Sequence, residues 1–438
     1  MNNLLLPTSR HNSGRLTAAL TSLCLSVGFL FPETGCQKRI TSANAIDPIQ
    51  TSTTAKTVVS PNLSAPIHTS MVLFNGGNEG AGGVSIYHSF RIPSIVRTNN
   101  GTLIAFAEGR RWSPSDYGDI NLVYKRSTNN GATWSALGEI AANGAGTWGN
   151  PTAVYDWSKG ANGRVWIFMN WNDQYKTQIS DFTQWGDRRV FTAYSDDHGV
   201  TWSTPVDMTA TLTPSNYKWD AMGPGIGIQT VAGPHPGRLI IPAYGRNIYS
   251  DDHGTTWSCQ VVPGAKHEST IVEQMNGNLL RNDRPSDAEW AVANRRVKAD
   301  GSIESGFSSF TADPALPDPK CEGSIVRYNT DNPARIIFLN PNSTSKRCNM
   351  TARISYDDGA TWPISRPIYD WNTCDYNAIE AGNNIAKGGY SSMIKTADFA
   401  VGALIEINEG LSDNSTSHKS IEFHKFNLGW IVNGATEP

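Results

Sequence analysis

Arginines in unusual company, a tyrosine behind two glycines, and carboxylates in turn-rich loops are the residues of this chain that could do chemistry. Arg91 stands in Phe90-Arg-Ile-Pro93, after Tyr87-His-Ser and before two short strand-like runs, Ser94–Arg97 and Leu103–Phe106. An arginine between Phe and Ile-Pro at a strand start is poorly placed for a solvated surface charge. It is expected to point inward, where first strands meet. A guanidinium is a planar fork of donors that matches a carboxylate with charge-assisted bonds. Asp116 and Asp119 lie in a loop, Glu108-Gly-Arg-Arg-Trp-Ser-Pro-Ser-Asp-Tyr-Gly-Asp119, where a partly exposed carboxyl can reach a substrate and exchange a proton. Glu268 opens a stretch that ends at Arg284, and Tyr390 follows Gly388 and Gly389. A phenol deprotonated by a neighbouring glutamate is a nucleophile with no charge of its own beforehand.

These residues need a frame, and a repeat supplies it. Four eight-residue boxes read Ser127-Thr-Asn-Asn-Gly-Ala-Thr-Trp134, Ser195-Asp-Asp-His-Gly-Val-Thr-Trp202, Ser250-Asp-Asp-His-Gly-Thr-Thr-Trp257 and Ser355-Tyr-Asp-Asp-Gly-Ala-Thr-Trp362. Their start-to-start intervals are 68, 55 and 105 residues, the last as if one unit lacked its box. Each follows a β-alternating run. The Asp or Asn caps nearby N–H groups, Gly takes the positive φ, and Thr-Trp re-enters a strand with the indole under the turn. Each box therefore reads as a hairpin tip, one per sheet. Units of this length suit propeller blades, with room for about six. The expected fold is all-β, a six-bladed β-propeller with four antiparallel strands per blade.

Composition agrees with a large all-β domain. The 438 residues include 40 Gly and 14 Trp, only 17% are charged, and the net charge is -3, which gives no sign of nucleic-acid binding. Residues 1–45 read as a signal peptide or N-terminal anchor, because Arg10, His11 and Arg15 precede an apolar run, Leu16–Phe31. That predicts a secreted, periplasmic or cell-surface protein, with membrane anchoring through the N-terminus as the alternative. Residues 46–70 are rich in Ser, Thr and Pro and read as a linker, leaving 71–438 for the propeller. Cys259, Cys321, Cys348 and Cys374 in the body permit up to two disulfides in three pairings, or stay free. No Cys/His cluster has metal-ligand spacing, and no cofactor is called for.

Phe90-Arg-Ile-Pro93 followed by these boxes resembles the exo-sialidases (neuraminidases) of bacterial and lysosomal type, over about residues 72–438. The resemblance implies hydrolysis of terminal sialic acid from sialylated glycans by a monomer, through a tyrosyl-enzyme intermediate with retention. It implies three arginines on the substrate carboxylate: Arg91, Arg284 and Arg347, with Arg353 a competitor for the third that reads as structural. Tyr390 matches the nucleophile. The 368–387 interval is longer than usual in the family, which leaves Tyr376 as a competitor. A tyrosine avoids the repulsion that a carboxylate nucleophile would meet at an anomeric carbon bearing a carboxylate. Glu268 matches the glutamate paired with it, while Glu273 reads as structural. Asp116 matches the acid/base, with Asp119 as alternative. Arg110 resembles an arginine that contacts ring hydroxyls. Glu406 matches a glutamate that holds the first arginine, with Glu409 as substitute. Trp148, Gln229 and the segment Gly149–Thr152 resemble pocket walls, and Trp148, Phe168 or Trp171 could give an N-acetyl group its apolar slot. Two other functions compete: a trans-sialidase or intramolecular variant with the same residues, and a non-catalytic glycan-binding propeller.

Overall fold

Each box folds the same way, and that repetition builds the molecule. In the computed structural model, which describes residues 64–438 apart from 82–85, 143, 145, 266, 286–293, 375–384 and 410–418, the box serine accepts from the glycine N–H four residues on. The distances are 2.9 Å at Ser127 and 2.8 Å at Ser195, Ser250 and Ser355. The third box residue accepts from the threonine N–H before the tryptophan, at 2.8–2.9 Å. The residue before each glycine is left-handed: Asn130, His198, His253 and Asp358 have φ of 55–59°. Asn, Asp and His tolerate that region better than most residues.

The boxes do more than turn the chain. A Cβ on Gly131 would sit 2.2 Å from Phe423, and one on Gly359 would sit 2.3 Å from Leu280, both in the preceding sheet. The tryptophans also reach across: Trp134 packs on Phe423 (5.1 Å between centroids), Trp202 on Phe106 (5.5 Å) and Trp257 on Phe168 (4.8 Å). The box is thus a clasp between neighbouring hairpin stacks as well as a hairpin tip.

The result is an all-β, propeller-like arrangement of small antiparallel sheets. Ile228–Gln229, Leu239–Ala243, Arg246–Ser250 and Ser258–Val261 form one sheet of four strands. Ser324–Asn329, Arg335–Pro341, Met350–Ser355 and Ile364–Pro367 form another. Between them lies a five-stranded sheet that starts at Ser269–Glu273 and Leu279–Asp283 and carries no box, which accounts for the long repeat interval. The last sheet, Ile385–Lys395, Val401–Glu409 and Ser420–Phe426, is completed from the other end of the chain by His68–Phe74. His68 pairs with Phe426, so the array closes on itself.

Six separate four-stranded sheets are not what the hydrogen bonding forms. Among the described residues there are five sheets, and the first has nine strands and two boxes. The cause is local. Gly146–Asp156 begins beside Ile120, and a parallel bridge between Ile120 and Thr147 fuses two successive hairpin stacks. Apolar side chains are buried between sheets rather than in one central core. Phe74, Phe90, Leu103, Leu404 and Phe423 fill one such layer, and Val154, Phe168, Leu239, Ile241 and Trp257 another. Each such side chain contributes about 1.5–3 kcal/mol by leaving water.

First strands converge. Ile95 N donates to Ser392 Oγ at 3.1 Å, and Ser324 and Ser391 share a 3.0 Å hydroxyl contact. Three of these inner strands break register near one end: between Arg91 and Ser94, Gly149 and Thr152, and Lys387 and Ser391. Bulges re-aim side chains, and these three do so around one cleft.

Candidate active site

Glu406 organises the cleft. Its carboxylate is fully buried and accepts four hydrogen bonds, from Arg91 Nε (3.1 Å) and Nη2 (3.1 Å), from Ile92 N (2.8 Å) and from Tyr390 N (2.9 Å). One residue on the second strand of the last sheet thereby fixes a guanidinium and the backbone of two bulges. Ile92 is left-handed, with φ of 57°, which a β-branched residue avoids. The strain is held by the bond to Glu406 and turns Arg91 into the cleft.

Glu268 and Arg284 meet for a simpler reason. They extend the pairing in which Ser269 faces Asp283, and Arg284 N donates to Glu268 O at 2.8 Å. Their side chains then touch, Nη1 to Oε2, at 2.6 Å. Tyr390 Oη donates to the same Oε2 at 2.5 Å and accepts from Arg284 Nη1. Arg91 and Arg347 flank the phenol ring, with Cζ at 5.3 and 5.1 Å from its centroid. Arg347 is tied down by Nη2 to Lys320 O at 2.8 Å and by its neighbour Cys348, which is disulfide-bonded to Cys374. Cys259 and Cys321 are free thiols, so one of the two permitted disulfides forms.

Burial pushes the Tyr390 phenol well above its ordinary value, and Glu268 adds to this, against the opposing pull of Arg284, Arg347 and Arg91. Burial also pushes Glu268 up, but Arg284 and then His267 outweigh it and hold the carboxylate below its usual range. The pair is therefore a neutral phenol hydrogen-bonded to an ionised carboxylate, poised for one proton to cross.

Asp116 stands on the lip of the cleft. Its side chain is 79% exposed, yet Oδ1 lies 2.8 Å from Arg110 Nη1 and 3.1 Å from Arg91 Nη1. Desolvation by the cleft walls raises its pKa, but Arg110 and then Arg91 win and hold it below the usual carboxylate range. Arg110 is buried and steered by Glu108, with Nη2 to Oε2 at 2.7 Å. Asp119 faces away, with Oδ2 3.7 Å from Arg111.

Other expected residues lie elsewhere. Gln229 is buried at the far end of its strand. Its amide donates to Asp156, Ser158 and Gly237, each at 2.9 Å, and accepts from Trp157 N at 2.8 Å, so it pins a loop and lines no part of this cleft. Trp148 is 8% exposed, with its indole against Phe191 (4.9 Å). Phe168 is fully buried against Trp257, which leaves it no face for an N-acetyl group. Arg353 spends its guanidinium on Asn340 (2.7 Å) and Asn342 (2.9 Å), and Glu273 caps Val231 and Ala232 N–H groups, so both are structural, in line with the sequence reading. Tyr376 and the side chain of Glu409 lie outside the described residues.

Sequence reasoning missed Glu108, Asn150 and Arg188. Glu108 Oε1 accepts from Asn150 N at 3.0 Å, and Asn150 Oδ1 from Arg188 Nη2 at 2.7 Å, which links the Asp116 loop to the next inner strand. Nothing in the local sequence of Arg188 distinguishes it from an ordinary strand arginine.

Comparison with known proteins identifies the family. The BNR repeat-like domain family matches residues 68–402. An exo-alpha-sialidase of Aspergillus fumigatus is 43% identical over 85% of this chain and 93% of its own length. The chain belongs to the exo-alpha-sialidase family. It is an enzyme, a glycoside hydrolase of that family. A second relative, the exo-alpha-sialidase of Arthroderma benhamiae, is 44% identical over 85% of this chain and 92% of its own. The fold is shared more widely. The intramolecular trans-sialidase from Ruminococcus gnavus superposes with a TM-score of 0.65 at 18% identity, over 84% of this chain and 99% of that one.

Proposed function

We propose that this enzyme is a retaining exo-α-sialidase that releases terminal sialic acid from glycoproteins, glycolipids and oligosaccharides through a tyrosyl-enzyme intermediate. The observation that carries the reading is the Tyr390–Glu268–Arg284 contact set between the Arg91 and Arg347 guanidiniums. Arg91, Arg284 and Arg347 bind the carboxylate on the anomeric carbon. Tyr390 Oη attacks that carbon as its proton passes to Glu268. The bond to the leaving oxygen breaks, and Asp116 protonates that oxygen. A water then attacks, Asp116 takes its proton, and Glu268 returns the first proton to the departing Tyr390 oxygen. The nine-stranded sheet is counted here as two blades, each with its own box, which makes six blades in all. We also assign residues 1–45 to export or anchoring, and we read the protein as a monomer outside the cell; the linker expected over 46–70 ends earlier, because His68–Ser70 already belong to the closing strand.

Two inversions leave the product anomer equal to the substrate anomer. Proton NMR of early product from an α-sialoside is expected to record the α-anomer of sialic acid first, followed by mutarotation. Immediate appearance of the β-anomer would rule out the double displacement.

A further inference from the structure

Of the three guanidinium nitrogens of Arg91, only Nη1 is not bound to Glu406, and a carboxylate already sits on it. That carboxylate is Asp116, whose Oδ1 accepts from Nη1. Arg110 is used similarly: Nε and Nη2 serve Glu108, and Nη1 serves Pro114 O and Asp116. The carboxylate of Asp116 thus sits on a guanidinium nitrogen that an incoming substrate carboxylate would approach. We propose that Asp116 is parked on Arg91 until the carboxylate of a sialoside displaces it, and that this displacement returns to Asp116 the ability to carry a proton. The proposal rests on the reading above, in which Asp116 protonates the leaving group.

The charges around Asp116 support a switch rather than a fixed acid. Arg110 comes from its own hairpin, Arg91 from the adjacent inner strand and Arg347 from the loop before Met350–Ser355. Arg188, on Arg188–Ser195, also feels its charge. All are cations, and they favour the ionised form of the carboxyl. A bound carboxylate would neutralise Arg91 and Arg347 together and bring a negative charge beside Asp116. Both changes favour its protonated form. At 79% exposure, the side chain is free to swing from Arg91 toward a leaving group outside the cleft. A sugar without a carboxylate would leave the acid parked, so the latch also selects substrates.

The test is binding of 2-deoxy-2,3-didehydro sialic acid to the full-length protein, by calorimetry at pH 5 in two buffers of different ionisation enthalpy. Wild type is expected to take up a fraction of a proton on binding. Asp116→Asn is expected to take up none and to bind about fivefold more tightly, the worth of one exposed ion pair. A thermal unfolding midpoint equal to that of wild type would verify that the variant is folded. Equal proton uptake by the two proteins, or unchanged or weaker binding by Asp116→Asn, would overturn the proposal. Failure of wild type to bind the analogue at all would instead overturn the sialidase reading, and this proposal with it.

Discussion

Two opposing effects act on the Tyr390 phenol, and burial is the larger. Burial keeps the phenol neutral, while three guanidiniums stand ready to stabilise the phenolate as the Glu268 carboxylate takes its proton. In the proposed mechanism the arginines serve both the nucleophile and the substrate carboxylate. Losing one charge-assisted contact that strengthens in the transition state costs about 2–4 kcal/mol. Arg284→Ala and Arg347→Ala are expected to lower kcat/KM for an aryl sialoside by about two to three decades. Arg353→Ala is expected to lose stability instead, because it leaves the side chains of Asn340 and Asn342 without their donor. Wild-type turnover by Arg347→Ala would show that the third carboxylate-binding arginine is another residue.

At the scale of elements, inner-strand bulges set the aim of the site. Gly388 has φ of 147°, and a Cβ there would lie 2.8 Å from Arg347 O and 2.8 Å from Cys348 Cα. Gly388 therefore lets the bulge close against the segment that carries Arg347. Gly388→Ala adds backbone strain of about 1–3 kcal/mol and must also push the two segments apart. Its kcat/KM is expected to fall at least about tenfold, since small misplacements of reacting groups are costly. Gly160→Ala is the control. Its φ of 67° carries similar strain, but nothing lies within 4 Å of the added carbon, so only thermal stability is expected to drop. Equal activity of the two variants would remove the role assigned to the Gly388 bulge.

For the whole molecule, closure depends on His68–Phe74, the strand that joins the two ends of the described chain. His68 contacts His424, Nε2 to Nδ1, at 3.1 Å. Burial, then His424 and Arg366, lower its pKa from 6.5 to about 4, against the smaller opposing pull of Glu422 and Asp370. The sign follows from linkage. Between pH 6.5 and about 4 the unfolded chain gains a proton on this histidine that the folded chain refuses, so stability falls as pH falls through that window. Tm measured from pH 7 down to pH 4.5 is expected to decline in wild type, and less steeply in His68→Gln. Parallel curves for the two proteins would show that the loss arises elsewhere. Glu422 adds to the decline only below about pH 5, where its unfolded carboxyl begins to take up a proton: burial raises its folded pKa, but His424 and Lys387 hold it down at about 2.

What the chain by itself determined was whatever is encoded in short segments. The box turns need Gly, Asn, Asp and Ser at fixed offsets, so they are legible at four places, and the missing box shows as a doubled interval. Phe90-Arg-Ile-Pro93 is legible as an arginine in apolar company that resembles the family's motif, and Gly388-Gly-Tyr390 because crowded backbone restricts residue choice at Gly388. Tertiary structure decided the rest. Whether two hairpin stacks share a sheet depends on the Ile120–Thr147 bridge, which has no local signature. Gln229 and Trp148 carry side chains suitable for a pocket, but their direction is set by register and by partners far along the chain. Arg188 and Glu108 reach the cleft through Asn150, a contact that exists only once neighbouring inner strands converge. The pairing of Cys348 with Cys374 likewise depends on the fold, because four cysteines allow three pairings and only proximity selects among them.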